Sequence, residues 1–362
     1  MHSNPENTNP AKRDYRLVAI GGGTGLSTLL RGLKRYTSVP GEDAPQESFI
    51  SDLTAVVTVS DDGGSSGRLR RELNILPPGD IRNCLVAVSE DENLLSQLFQ
   101  HRFSNPGDLE GHSFGNLFLA ALTAITGDFA EAVKRASEIL ATRAHVLPAT
   151  SANVQLEATM DDGSRIVGET NINASEKRIV ELHMAPENPQ PLEQTLRAIA
   201  EADIITMGPG SLFTSLIPNV LVNGIPEAIA ASRAVKVFIC NLMTEANESL
   251  HMSASDHIRA IYAHARKNIF HYALVNSTPV SAHMMEKYAQ ERAEQVVVDT
   301  AAIEALGVKC ITGDFVEEND FARHATDQLC RELLSLAEFT GSRPAQISPA
   351  SGKMMVPWSV TT

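Results

Sequence analysis

The segment RLVAIGGGTGLSTLLRGLKRY constrains the fold more than any other stretch of the chain. Its first five residues, 16–20, form a short apolar run of the kind buried on both faces of a parallel sheet. Glycines follow at 21, 22, 23 and 25, and Leu26, Leu29, Leu30 and Leu33 then recur at helical spacing. Strand, glycine loop and helix in that order predict the opening unit of an α/β sheet. The pattern returns further along. Apolar and β-branched runs at residues 53–59, 203–207, 235–240 and 272–276 read as additional strands separated by helical stretches. One such stretch follows PPGD, with Ile81, Leu85 and Val88 on one face and Asp80 as the expected N-cap.

The middle of the chain breaks this rhythm. VQLEATMDDGSRIVGETNI holds an Asp-Gly turn between segments of alternating Val, Ile and Thr, which predicts an antiparallel β-hairpin. The expected architecture is therefore α/β and Rossmann-like: a doubly wound, mostly parallel sheet with helices on both faces and a hairpin inserted at about residues 151–185. Residues 14–340 are expected to form one domain. The Pro, Ser and Gly content of residues 1–13 and 341–362 predicts mobile tails.

Charge narrows the partners. Thirty Lys and Arg against forty-four Asp and Glu leave a net charge of −14, which argues against a general nucleic-acid or anionic-membrane surface. No run approaches the roughly 18 apolar residues of a membrane span, and the polar opening lacks the apolar core of a signal peptide. Cys84, Cys240, Cys310 and Cys330 lie far apart with no CxxC pair, so neither a zinc site nor a disulfide framework is indicated. The expectation is a cytoplasmic protein.

In an open α/β sheet, ligands collect beyond the carboxyl ends of the strands. Five strand ends are rich in glycine or small polar residues. Gly21, Gly22, Gly23, Thr24 and Gly25 lie between strand and helix, where bare amides and the positive helix end suit a phosphate. Their spacing matches neither the G-x-G-x-x-G fingerprint nor a P-loop, and a ligand-free tight turn is the plain alternative. Gly208, Pro209, Gly210 and Ser211, followed by Thr214 and Ser215, repeat the design, and two such nests suit a diphosphate or a phosphate with sugar hydroxyls. A capped helix start is the alternative here. Asn241 ends the run at 235–240.

The third end reads TVSDDGGSSGRLRRE. Asp61 and Asp62 are placed to orient a ribose, ligate Mg²⁺ at a diphosphate or accept a proton, and Gly63, Gly64 and Ser65 let the chain wrap closely around a ligand. Arg68 and Arg71 share a helical face suited to phosphate, with Leu69 and Leu73 anchoring another. A solvated arginine face with a turn and cap is the alternative. Arg82 and Asn83 after PPGD, and His112 and Asn116 in GHSFGNL, extend the polar set. Asp61, Asp62 and His112 are the catalytic candidates. Neither G-x-S-x-G nor H-E-x-x-H occurs; Asp256, His257 and His264 lie at helical spacing that needs no metal.

Together IGGGTGLSTLLRGLK, TVSDDGGSSGRLR, LPPGDIRNCLVA, GHSFGNL and MGPGSLFTSLIPNVLV closely resemble the gluconeogenesis factor family. That family is the YvcK-like branch of the CofD-like, or 2-phospho-L-lactate transferase, superfamily, and the resemblance spans about residues 16–335. It implies a cytoplasmic Rossmann-like protein that binds UDP-sugars such as UDP-N-acetylglucosamine. It also implies a regulatory role in growth on gluconeogenic carbon, cell shape and peptidoglycan precursor supply. The resemblance further implies that transferase relatives move 2-phospholactate from a guanosine diphosphate donor to a deazaflavin with Mg²⁺, using an acidic residue at the second strand end, where Asp61 and Asp62 stand here. The loop after Thr244 departs from the pattern of many members. The favoured expectation is a homodimeric nucleotide-sugar-binding regulator acting through unidentified enzymes, with no certain cofactor beyond a candidate Mg²⁺. The alternative is a Mg²⁺-dependent transferase; a nicotinamide oxidoreductase is disfavoured by the imperfect fingerprint.

Overall fold

A computed structural model describes residues 14–37, 49–90 and 94–340. The tails predicted for 1–13 and 341–362 lie outside these. The main sheet has seven strands: β1 (Asp14–Gly21), β2 (Phe49–Val57), β3 (His145–Pro148), β7 (Ile204–Met207), β8 (Val235–Ile239), β9 (Tyr272–Asn276) and β10 (Lys309–Gly313). Its order is β10-β9-β8-β7-β1-β2-β3, and every pairing is parallel. The architecture is α/β and Rossmann-like, as the alternation predicts.

Five further strands form two small antiparallel units. β4 (Gln155–Met160), β5 (Arg165–Val167) and β6 (Ile179–Ala185) make one sheet in the order β5-β4-β6, and β11 (Val316–Glu318) pairs with β12 (Ala322–His324) in the other. The predicted hairpin is thus present as β4 and β5, with the third strand β6 pairing on the other edge of β4.

Strands β1, β7 and β8 are buried along almost their whole length, which is why they read as continuous apolar runs rather than alternating ones. The first five helices are α1 (Gly23–Leu33), α2 (Gly64–Leu73), α3 (Gly79–Val88), α4 (Leu94–Gln100) and α5 (Phe114–Thr126). Leu26, Leu29, Leu30 and Leu33 of α1 are all buried, as their spacing requires. On one face α1 packs against α3 and the helix Thr326–Thr340. On the other, the helices Glu193–Glu201 and Ile225–Ala231 pack together.

Three local expectations need correction. β2 starts and ends earlier than residues 53–59, because its ladder with β1 runs from Phe49 to Val57. Leu69 of α2 is buried, but Leu73 is 53% exposed and anchors nothing. Asp80 is not the N-cap of α3; Pro78 occupies that position, and Asp80 sits in the first turn.

The topology positions the site. From β1 the chain winds outward through β2 and β3; from β7 it winds the opposite way through β8, β9 and β10. The reversal falls between β1 and β7, where crossovers leave to opposite faces and a crevice opens beyond the strand ends. Ile20 is paired with Met207, so the two glycine loops leave the sheet side by side.

Candidate functional site

A cleft of about 740 Å³ occupies that crevice. The first loop contributes Gly22, Gly23, Thr24 and Gly25, and the second contributes Pro209, Gly210, Ser211, Thr214 and Ser215. Asn241 and Thr244 come from the end of β8, Asp80 from α3, and Arg323 and His324 from β12. The sheet fixes both loops: Gly208 N–H donates to Ile20 O at 3.1 Å, and Thr58 N–H to Gly21 O at 2.9 Å. Gly25 sits so close to the second loop that a Cβ there would lie 2.4 Å from Pro209 O and 2.9 Å from Gly210 Cα.

The two loops differ electrostatically. The first opens α1 with Gly22 at the N-cap and no side-chain cap, leaving the positive helix end toward the cleft. The second satisfies many of its own donors. Gly210 N–H donates to Asn241 Oδ1 at 3.0 Å, and Asn241 Nδ2 returns a bond to Gly210 O at 2.8 Å. Ser211 Oγ donates to Glu245, and Glu248 accepts from Phe213 N–H at 2.8 Å and Thr214 Oγ at 2.6 Å. This side of the cleft therefore presents carbonyl, hydroxyl and carboxylate oxygens, which suit hydroxyl groups better than phosphate.

Carboxylates gather behind both loops. Burial, reinforced by Asp61, raises Asp80 to about 6, although a backbone bond from Gly23 opposes the shift. Glu169 is pushed to about 9 by burial first and then by Asp61 and Asp80. Glu248 rises to about 8 by burial and the neighbouring Glu245. His324 goes the other way, to about 4, because burial disfavours its charged form; the neutral ring donates from Nε2 to Cys240 O at 3.0 Å.

The Asp80 shift has a measurable consequence. Its folded value lies above the ordinary aspartate value of 3.8, so between about pH 4 and 6 the folded state holds a proton that the unfolded chain releases. Stability from this group is full below pH 4 and falls as pH rises to 6. Asp80→Asn removes that slope. Relative to the wild type, the variant is expected to gain up to about 3 kcal/mol between pH 4 and 6.5, read from denaturant unfolding at each pH; parallel curves would refute it.

Asp61 and Asp62 turn apart. Asp61 Oδ1 accepts from Gly63 N–H at 2.9 Å, with Oδ2 toward Gly79. Asp62 Oδ1 accepts from both the amide and the hydroxyl of Thr170, with Oδ2 against Gly168. Among the described residues, no three His, Cys, Asp or Glu side chains come together to hold a metal. The two side chains are thus turned to different partners, Asp61 to the starts of α2 and α3 and Asp62 to the segment at 168–170.

The remaining predicted residues form a neighbouring polar cluster. Gly67 packs against the carbonyl of Asp62, closing the turn that carries Gly63, Gly64 and Ser65 into α2. Ser65 Oγ meets His112 Nδ1 at 3.0 Å. Arg82 donates to Asn116 Oδ1 at 3.1 Å and Asn83 Oδ1 at 2.6 Å, and Arg68 donates to the carbonyls of Glu110 and Asp108. Neither arginine lines the cleft. Asp256, His257 and His264 serve the helix Ala254–Ala265: Asp256 completes its capping box, and both imidazoles bond backbone carbonyls four residues back.

Sequence reasoning missed Arg323, His324, Glu169 and Glu245. β12 is three residues long in a charged segment without glycine, so nothing local marks it as cleft wall. Glu245 carried a signal in its separation from Glu248, three residues apart and facing one loop.

Comparison with known proteins places this geometry. The family model of 2-phospho-L-lactate transferase CofD matches residues 17–316. The chain belongs to the CofD family. Within it, the chain is 49% identical over 319 residues to the gluconeogenesis factor of Halalkalibacterium halodurans, covering 88% of this chain and 95% of that protein. It is 46% identical over 322 residues to the Bacillus subtilis gluconeogenesis factor, covering 89% and 98%. A crystal structure of a Bacillus halodurans protein superimposes with a TM-score of 0.84 at 48% identity, covering 89% of this chain and all of that one. The predicted gluconeogenesis factor resemblance is thereby borne out. Among the described residues of this CofD-family chain, no single helix is long and apolar enough to cross a membrane; the bent pair Leu212–Leu221 and Ile225–Ala231 together reach that length.

Proposed function

We propose that the switch-point cleft binds a nucleotide sugar, with UDP-N-acetylglucosamine as the favoured ligand, and that the protein acts as a ligand-responsive gluconeogenesis factor. The observation behind this reading is the pairing of a glycine loop at a helix N-terminus with an acceptor-rich second loop in one cleft. The diphosphate sits on the glycine loop at the positive end of α1, against Gly22, Thr24 and Gly25, with the Gly23 amide bonded to Asp80. Arg323, which lines the same cleft from β12, supplies a guanidinium. Sugar or ribose hydroxyls donate to Asn241, Ser211 and Glu245 on the other side. A link to gluconeogenic growth, cell shape and peptidoglycan precursor supply follows if the sensed ligand is a wall-precursor nucleotide sugar.

Isothermal titration of the full chain with UDP-N-acetylglucosamine, UDP-glucose, GDP and NAD, each with and without Mg²⁺, checks the proposal. Saturable binding of the UDP-sugars with weaker binding of GDP and NAD is expected. Equal or stronger binding of NAD overturns it. The family model favours one second reading, a transferase acting on a nucleoside-diphosphate donor. Mass spectrometry of the incubated ligand separates the two, because transfer or hydrolysis releases free nucleotide and simple binding does not.

A further inference from the structure

Three guanidinium groups gather beside the nucleotide cleft, each hydrogen-bonded but, among the described residues, none in an ion pair. Arg68 comes from α2, Arg82 from α3 and Arg102 from the loop after α4. Their hydrogen bonds all end on uncharged oxygens. Arg68 reaches the carbonyls of Glu110 and Asp108, Arg82 the amide oxygens of Asn83 and Asn116, and Arg102 the carbonyl of Gly111. None of the three makes an ion pair among the described residues, although the chain holds forty-four acidic side chains against thirty basic ones. The Nε atoms of Arg68 and Arg82 are buried and have no hydrogen-bond partner.

The groups also act on one another. Burial lowers Arg82 and the charge of Arg102 lowers it further, with Asp80 and Asp61 opposing the shift from the cleft side. His112 is lowered by burial and then by Arg68, with Arg102 adding to the effect and Glu72 opposing it. The stem of Arg82 runs against Gly115 in the first turn of α5, whose positive end adds to the same field. Like charges held together under partial burial are costly unless an anion is shared between them. Guanidinium forks suit a phosphate, whose oxygens accept paired bonds.

We propose that Arg68, Arg82 and Arg102 form a second anion subsite that takes the phosphate of a phosphate-monoester metabolite, separately from the nucleotide cleft. The subsite does not depend on the nucleotide-sugar reading, because none of its arginines lines that cleft. Its position across the first turn of α3 from Asp80 makes it suited to an effector or an acceptor that meets the nucleotide ligand.

The test is isothermal titration of the full chain with inorganic phosphate at low ionic strength. Saturable binding is expected in the wild type and, undiminished, in protein saturated with UDP-N-acetylglucosamine. Arg102→Gln alters an exposed side chain and is expected to weaken phosphate about tenfold. Arg68→Gln, on a different element, should do the same while thermal unfolding shows both variants folded. Arg323→Ala should leave phosphate binding intact, which separates failure of this subsite from failure of the cleft assignment. The proposal is overturned if phosphate does not bind, if both arginine variants bind it as the wild type does, or if the nucleotide sugar displaces it.

Discussion

Gly25→Ala is expected to abolish nucleotide-sugar binding and to lower stability by about 1–3 kcal/mol. The added methyl meets backbone, the carbonyl of Pro209 and the Cα of Gly210, so no side-chain rotation relieves it. The two glycine loops must move apart. Each is held to the sheet by hydrogen bonds from its first residue or beside it, so the separation is spent either on those bonds or on the geometry of the cleft. Both outcomes are measurable, by titration calorimetry and by denaturant unfolding. A variant that binds as the wild type does would show that the contact between the loops is irrelevant to the site.

Arg323→Ala should reduce affinity for a UDP-sugar roughly tenfold to a hundredfold, the loss expected for a charge-assisted bond to a phosphate. The side chain is exposed on a short edge hairpin, so the fold should survive the change. Arg323→Lys should recover part of the loss, because it keeps the charge and gives up the paired donors. Raising salt should narrow the gap between variant and wild type. Unchanged affinity in Arg323→Ala would remove the guanidinium from the site and leave the first glycine loop as the sole phosphate contact.

The parallel sheet was legible because its strands are buried on both faces and the helix after the first of them keeps strict leucine spacing. The two glycine loops were legible for the same reason: each follows a clear strand. Their different characters were not. That distinction rests on Asn241, Glu245 and Glu248, brought to the second loop from 31 to 35 residues away. The role of Asp80 was misjudged because capping and pointing into a cleft use the same residue at neighbouring positions, and only the backbone of Pro78 decides between them. Arg68 and Arg71 were read from spacing as sharing one helical face, and spacing alone could not show that tertiary packing turns Arg68 to the carbonyls of Glu110 and Asp108.

The adjacency of β1 and β7 joins segments nearly two hundred positions apart in the chain, Ile20 beside Met207. Such a union forms late, since the loop-closure entropy of long-range parallel pairing has to be met first. A nascent chain released before β7 is synthesised would hold one half of the crevice and no affinity worth measuring. Under the proposed function, ligand capture would therefore report a completed molecule, and added ligand should raise the melting temperature as its concentration rises above the dissociation constant.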